Sequence, residues 1–308
     1  MTVLVTGGAG FIGSHLVRRL LADNESVRVL DDLSTGRREN LSGCDVDLVE
    51  RDLVIGELAD VVGGIGTIFH LAAVPSVPRS VSDPLRSHHA AATGTLRLLE
   101  AARREGVRTV ITSSSSSVYG DVAAPPMRES MATMPRSPYA VAKLAAEGYT
   151  RVFAGLYGMR TVSLRYFNVF GPRQDPTSAY AAAIPKFITA YMERRAPVVF
   201  DDGRQSRDFT FVENVVEANM RAAAAPTLAG ESVNIAAGAP RSVLDVLRAI
   251  SAVFGYWLEP EFKPARPGDI RDSHADITVA RRLIGFEPVV DFDDGLRATV
   301  DWLRGGTG

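Results

Sequence analysis

The stretch TVLVTGGAGFIGSH spaces Gly7, Gly10 and Gly13 three residues apart, between a short β-branched run and an apolar one. Glycines so placed, after a strand and opening a helix, suit a dinucleotide pyrophosphate. The first makes the turn, the second admits the phosphates to the backbone, and the third lets helix and strand pack closely. The helix N-terminus then offers unpaired N–H groups to the anion. A glycine-rich turn alone says little, but Asp31 in VRVLDDLSTG follows at close to the ~20-residue separation of a carboxylate that grips ribose hydroxyls. A carboxylate there favours NAD over NADP, because a 2′-phosphate would face a negative charge; Arg37 and Arg38 lie a little further along.

A second constellation is SPYAVAK, in which Tyr139 and Lys143 share one face if the segment is helical. Tyrosine, with an ordinary pKa of about 10, is a poor base at neutral pH. A neighbouring ammonium and a positively charged nicotinamide ring both favour its phenolate, which would then serve as base for a substrate hydroxyl. Such pairs also occur on exposed helices. Upstream, however, VITSSSSSVYG reads as a strand running into hydroxyl side chains, where a serine could share the substrate proton.

These residues need a scaffold that brings them to one edge. The runs TVLVT, SVRVLDD, VDLVERD, GTIFHLAA, RTVITSS and RTVSLRYFN are apolar throughout rather than alternating, as in strands buried on both faces of a parallel sheet. Helical periodicity begins at Phe11, Asp83 and Pro138, giving crossovers between strands. The expectation is an α/β fold with a doubly wound, Rossmann-type parallel sheet in residues 1–170, to which some later segments return. From about Gly171 the texture changes to Pro-bearing segments, short strands such as PVVF and SVNIA, and small helices near Ser242, Thr278 and Asp293. Residues 171–308 read mainly as a smaller α/β substrate lobe over the carboxyl edge of the sheet.

Composition excludes several classes. A chain of 308 residues, 46% hydrophobic and 23% charged, is long enough for one large unit with an appended lobe. A formal charge of −2 argues against nucleic acid or an anionic membrane as partner. Cys44 is the single cysteine, so neither an internal disulfide nor a cysteine-rich metal site is available, and no metal is expected. No apolar run approaches the ~20 residues that span a bilayer, and the opening enters a strand rather than a signal peptide, so a cytoplasmic protein is expected.

Together with LDDLSTGRREN, RDL, HLAA, LRYFNVFGPRQDP, QSRDFTFVENVV and RPGD, these motifs make the chain resemble the extended short-chain dehydrogenase/reductase family. Within it, the resemblance is to the nucleotide-sugar epimerase/dehydratase branch, especially UDP-hexose 4-epimerases. The resemblance implies that Gly7, Gly10, Phe11, Ile12 and Gly13 hold the NAD pyrophosphate, Asp31 the ribose, and Asp52 with Leu53 the adenine. Leu71, Ala72 and Ala73 would line the cofactor channel, with Tyr166 and Val169 near the nicotinamide and Asp32, Ser34, Thr35 and Gly36 completing the cofactor set. Ser115, Tyr139 and Lys143 would be catalytic. Asn168, Arg207, Arg266 and Asp269 would hold the nucleotide diphosphate, paired guanidiniums being well matched to it. Arg79, Ser116, Ile184, Lys186 and Phe200 complete the implied substrate set. A homodimer through the helices beginning near Asp83 and Pro138 is implied by analogy.

The implied reaction is inversion at C4 of a UDP-sugar through a 4-keto intermediate. The resembling 4,6-dehydratases carry an Asp–Glu pair where this chain has Ser116 and Ser117, which disfavours that elimination; one using Glu129 instead stays open. Two positions depart from the epimerase pattern, Ala91 for an Asn and Ala142 for a Ser. Ser273, small where glucose- and galactose-restricted epimerases carry Tyr, leaves room for an N-acetyl group, so UDP-N-acetylglucosamine or UDP-glucose is favoured. Asp175 would repel a uronate, although Arg79 could supply the missing charge for a UDP-uronate 4-epimerase. A non-catalytic NAD-binding regulator is the reading that the Ser115, Tyr139 and Lys143 set opposes.

Overall fold

Apolar runs without alternation become a parallel sheet covered on both faces. The computed structural model describes residues 2–121, 125–175, 183–265 and 271–305. The first half comprises β1 (Thr2–Thr6), α1 (Phe11–Ala22), β2 (Ser26–Asp31), β3 (Asp47–Glu50), α2 (Ala59–Val62), β4 (Ile65–His70), α3 (Val77–Ser82), α4 (Pro84–His88) and α5 (Gly94–Arg104). There follow β5 (Thr109–Ser115), α6 (Pro138–Tyr157), β6 (Arg160–Tyr166), β7 (Val169–Phe170), α7 (Ala183–Met192), β8 (Val198–Phe200), β9 (Ser206–Asp208), β10 (Thr210–Phe211) and α8 (Val212–Ala224). The chain continues with β11 (Glu231–Ile235), β12 (Pro240–Ser242), α9 (Val243–Phe254), β13 (Glu261–Lys263), β14 (Asp272–Ser273), α10 (Thr278–Ile284) and α11 (Phe292–Arg304).

Seven parallel strands form the main sheet in the order β11-β6-β5-β4-β1-β2-β3. The pleat sends alternate residues to opposite sides. Val3, Val5, Val29, Phe69 and Ile111 join one core with α1 and α8, while Leu4, Leu30, Ile68 and Val110 join a second core with α5. Strand order reverses beside β1, between β2 and β4, and in such sheets this switch point at the carboxyl ends is where ligands sit. The strand SVNIA is β11, which pairs with β6 at the sheet edge rather than among the short strands of the second lobe. Its five residues carry no sequence mark of that destination, since a partner strand is chosen by packing.

The smaller lobe has its own core, built on Ile188, Tyr191, Val246, Leu247, Ile250 and Val300. Phe170 meets Phe211 and Phe292 within it as tilted rings, with centroids 5.6 and 5.3 Å apart. Phe11 and Ile12, from the first turn of α1, pack against this same core, so the lobe is seated directly beside the glycine turn. The helical pattern expected from Asp83 is divided. Asp83 caps α4 by accepting from the Arg86 N–H, and a π-helical turn over His89–Thr93 leads into α5.

Phe170→Ala should cost about 3–5 kcal/mol, the range for emptying a buried aromatic site. A urea denaturation midpoint displaced accordingly at unchanged slope would register it; an unmoved midpoint would mean that the ring cluster does not hold the lobe.

Candidate active site

The glycine turn is built where β1, β2 and β4 end together. Gly7 donates its N–H to the Leu30 carbonyl at 2.8 Å, and Leu71 donates to Thr6 at 3.0 Å. Gly7 has φ +71°, and a Cβ there would lie 2.8 Å from the Ala72 nitrogen. A Cβ on Gly13 would lie 2.1 Å from the Gly7 carbonyl oxygen, so helix and turn meet at a distance that only glycine permits. Asp31, at the end of β2, accepts the N–H groups of Ala9 and Leu33, both at 2.9 Å. Burial pushes its carboxyl above the usual carboxylate range, and the two backbone donors pull against that shift.

A cavity of about 1330 Å3 opens over this edge. It is lined by every residue read from the sequence on the cofactor side: Gly7, Gly10, Phe11, Ile12, Gly13, Asp31, Asp32, Ser34, Thr35, Gly36, Asp52, Leu53, Leu71, Ala72, Ala73, Tyr139, Lys143, Tyr166 and Val169. Arg79 lines it too. Sequence reasoning missed Ser113, Gln174 and Trp302, which also line it. Gln174 lies within a quoted motif and could have been noticed, whereas Trp302 arrives on α11, far along the chain, with nothing local to announce it.

Tyr139 and Lys143 are fixed by the start of α6. Ser137 caps the helix by accepting the Ala140 N–H, and Pro138 occupies its first turn. Tyr139 is thereby held at the positive end of the helix dipole, which favours a phenolate. The Ser115 hydroxyl bonds the phenol and lowers its pKa, but burial outweighs this and pushes it above the ordinary tyrosine value. The depression expected from sequence is therefore not made by the side chains around the phenol. Lys143 is buried, and its ammonium donates to the Ser113 carbonyl at 2.8 Å and the Ser113 hydroxyl at 3.0 Å. Burial pulls Lys143 down to about 8, against the raising influence of Glu147.

The two departures prove to be a single packing event. Ala91 and Ala142 are both buried in one small cluster with Ala92. The backbone of the π-helical turn is used nearby, where the Thr95 hydroxyl donates to the Ala91 carbonyl. Because that proton is committed, Thr95 Oγ accepts from His70 Nε2 at 2.9 Å. His70 Nδ1 then accepts from the Thr6 hydroxyl at 2.7 Å, and Thr6 Oγ accepts the Ala72 N–H at 3.3 Å. The chain fixes a neutral His70 tautomer and holds the backbone of Ala72 at the cavity wall.

Of the residues read on the substrate side, Arg79 lines the cavity and the other described ones lie outside its lining. Ser115 and Ser116 are half-buried at the end of β5 outside the cavity lining, with Ser115 bonded to Tyr139. Asn168 takes φ +33° and donates to the Asp208 carbonyl at 3.2 Å. Arg207, on β9, donates to the carbonyls of Ser206 and Arg271 at 2.8 and 2.9 Å. Ile184 is buried in the core of the smaller lobe, and Lys186 and Phe200 are half-buried on α7 and at the end of β8. Arg266 and Asp269 lie outside the described residues. Asp175 lines the cavity but accepts from Arg37 at 3.1 Å, so the repulsion expected of it toward a uronate is offset by a guanidinium. Glu129 is engaged in structure, accepting the Asn234 N–H at 2.8 Å away from the cavity lining. Among the described residues no group of three His, Cys, Asp or Glu side chains is placed to hold a metal, and no helix is long and apolar enough to cross a membrane.

The family model for the NAD dependent epimerase/dehydratase family matches residues 3–236. The chain belongs to that family. It is 43% identical over 311 residues to a UDP-glucose 4-epimerase of Mycolicibacterium smegmatis, covering 99% of both chains. Among solved structures it is similar to the UDP-N-acetylglucosamine 4-epimerase of Methanobrevibacter ruminantium M1 in complex with UDP-N-acetylmuramic acid (TM-score 0.95, 40% identity, 99% and 98% of the two chains). It is also similar to the UDP-glucose 4-epimerase of Thermotoga maritima with UDP-glucose (TM-score 0.94, 37% identity, all of both chains). The cofactor of the family is NAD, and the residues fit it: a turn where Gly7 and Gly13 leave no room for a Cβ presents bare backbone to the cavity, with Asp31 on the same edge.

His70 sets a pH dependence of stability. Burial, reinforced by the Lys143 charge, pushes it from 6.5 down to about 3. The unfolded chain therefore takes up a proton that the folded chain refuses, and the stability present above pH 6.5 is lost as pH falls toward 3. Comparing the unfolding free energy of the parent and His70→Gln should show the parent losing up to about 1.4 kcal/mol more per pH unit in that window. Parallel curves would contradict a neutral His70.

Proposed function

We propose that the chain is an NAD-dependent 4-epimerase of a nucleotide-activated hexose, with UDP-N-acetylglucosamine or UDP-glucose as substrate. The observation that carries the reading is the juxtaposition of Tyr139, its Ser115 hydrogen bond and Lys143 at one end of a cavity whose other walls are the glycine turn and Asp31. The names borne by the similar proteins support the same substrate class.

Bound NAD supplies the hydride acceptor at the sugar C4 and, after the sugar has turned, the hydride donor. Tyr139 takes the proton of the 4-hydroxyl as that carbon becomes a ketone and returns it when the ketone is reduced from its other face. Ser115 shares that proton through its bond to the phenol. Lys143, held by Ser113, keeps a positive charge one helical turn from the phenol, where it stabilises phenolate without competing as an acceptor. We assign the pyrophosphate, ribose and adenine of NAD to the cavity residues read from the sequence. The nucleotide diphosphate of the substrate goes to Asn168, Arg207, Arg266 and Asp269, and Ile184, Lys186, Phe200 and Ser116 complete the substrate set. Residues 1–170 then act as the cofactor half and 171–308 mainly as the nucleotide-sugar lobe. A clamp at the nucleotide end leaves the hexose free to turn. A UDP-uronate is the second reading, favoured by Arg79 on the cavity wall and by the Arg37–Asp175 pair.

We further propose a homodimer. Val141, Tyr149, Val152 and Leu156 form an exposed apolar stripe along α6, with Leu85 of α4 also exposed. A stripe of this kind suits a second copy of the same helix face. A cytoplasmic setting suits the free thiol of Cys44.

Incubating the purified protein with UDP-glucose, UDP-N-acetylglucosamine and UDP-glucuronate, without added cofactor, should give a product of unchanged mass and inverted C4 configuration from one of them. A product lighter by water would replace this reading with dehydration. Tyr139→Phe should lower kcat by about 10²–10⁴-fold while NAD stays bound, as the loss of a positioned base requires. Leu156→Glu should move the sedimentation coefficient from dimer to monomer; a parent that already sediments as a monomer would remove the dimer.

A further inference from the structure

Glu147 stands one turn beyond Lys143 on the same face of α6 and is 2% exposed. Its Oε1 accepts from Ser114 Oγ and from Arg165 Nε at 2.9 Å, and its Oε2 accepts from Arg165 Nη2 at 2.7 Å and Ser232 Oγ at 2.9 Å. One carboxylate thus joins α6 to β5, β6 and β11. Arg165 is held in turn, donating to the Tyr119 hydroxyl at 2.8 Å with its guanidinium 4.7 Å from that ring centroid. Tyr119 donates to Asn234 Oδ1 at 2.7 Å. A buried ion pair gives little net stability compared with an apolar pair of the same size, so its worth has to be sought in what it positions.

We propose that Glu147 is a positioning residue for proton transfer, a buried anion one helical turn from the Lys143 ammonium that, through its bond from Ser114, also holds the adjoining Ser115 against the Tyr139 phenol. This rests on the reading that Tyr139 and Lys143 carry the proton transfer. The charged and titratable groups around the pair are few. On α6 they are Tyr139 and Lys143, on β4 His70, on β6 Arg165, on the turn after β5 Tyr119, and beside Arg165 the carboxyl of Glu129. Glu147 itself is the anion that acts on Lys143, opposing its loss of charge by burial. Arg165 prevents the carboxylate from being an unanswered charge, and the four hydrogen bonds fix its direction.

Glu147→Gln preserves size and removes the charge. The Tyr139 ionisation is read as the phenolate absorbance difference between each protein and its Tyr139→Phe counterpart, all carrying NAD. Glu147→Gln should move its midpoint up by about one pH unit and lower turnover at neutral pH about tenfold, with KM little changed. Glu147→Asp, which keeps the charge, should return the midpoint to the parental value. A folded Glu147→Gln protein with parental midpoint and pH profile would overturn the proposal, as would an Asp variant displaced as far as the Gln variant. Should Glu147→Gln fail to fold, Glu147→Gln with Arg165→Met removes both charges at matched volume. An upward midpoint there supports the proposal, and a parental one overturns it. The titration needs no substrate, so it stands apart from whether the protein epimerises UDP-sugars.

Discussion

The seating of α6 on the end of β5 is the contact on which the rest of the site depends. Lys143 crosses from the helix to the Ser113 carbonyl and hydroxyl, at a point where β5 has run past its pairing with β4 while still paired with β6. That one attachment sets the azimuth of the helix, and with it the direction of Tyr139 one turn earlier and Glu147 one turn later. It also requires an ammonium to be buried, which is tolerable because its hydrogens meet oxygen and because an anion stands below it.

Parallel strands make this attachment useful. All seven run the same way, so the ends of β1, β2, β4, β5 and β6 reach one edge, and each delivers a different part of the site. The first contributes the glycine turn, the second Asp31, the fourth the His70 chain and Ala72, the fifth Ser113 and Ser115, and the sixth Tyr166. The second lobe packs its own core on Phe11 and Ile12, so the lobe is tied to the helix that opens at the glycine turn.

Polar groups near the cavity are sorted by what they can reach. Glu129 is spent on the backbone of Asn234, Asp175 on Arg37, and Glu147 on Arg165, which leaves the phenol, the hydroxyls and the ammonium at the cavity end. Where a polar pair could have stood, Ala91 and Ala142 fill the space together. Their substitution is mutually consistent, since an isolated polar group against either alanine would be buried without a partner.

The sequence by itself determined the sheet, the glycine turn, Asp31 and the Tyr139–Lys143 pair, because each is a local pattern whose period or spacing carries its own physical reason. Unbroken apolar runs mean strands covered on both sides, and four residues on a helix mean one face. Only the tertiary structure decided that SVNIA would be the sheet's edge strand and that the pattern from Asp83 would divide around a π-helical turn. It also decided that Trp302 would reach the cavity, that Asp175 would meet Arg37, and that Ala91 and Ala142 would be neighbours. These are contacts between segments far apart in the chain, and no local period encodes which of several compatible partners will be adjacent once the cores have packed. The same holds for the phenol: its neighbours in sequence suggested an easy ionisation, while its burial, a property of the folded whole, set the direction of the shift.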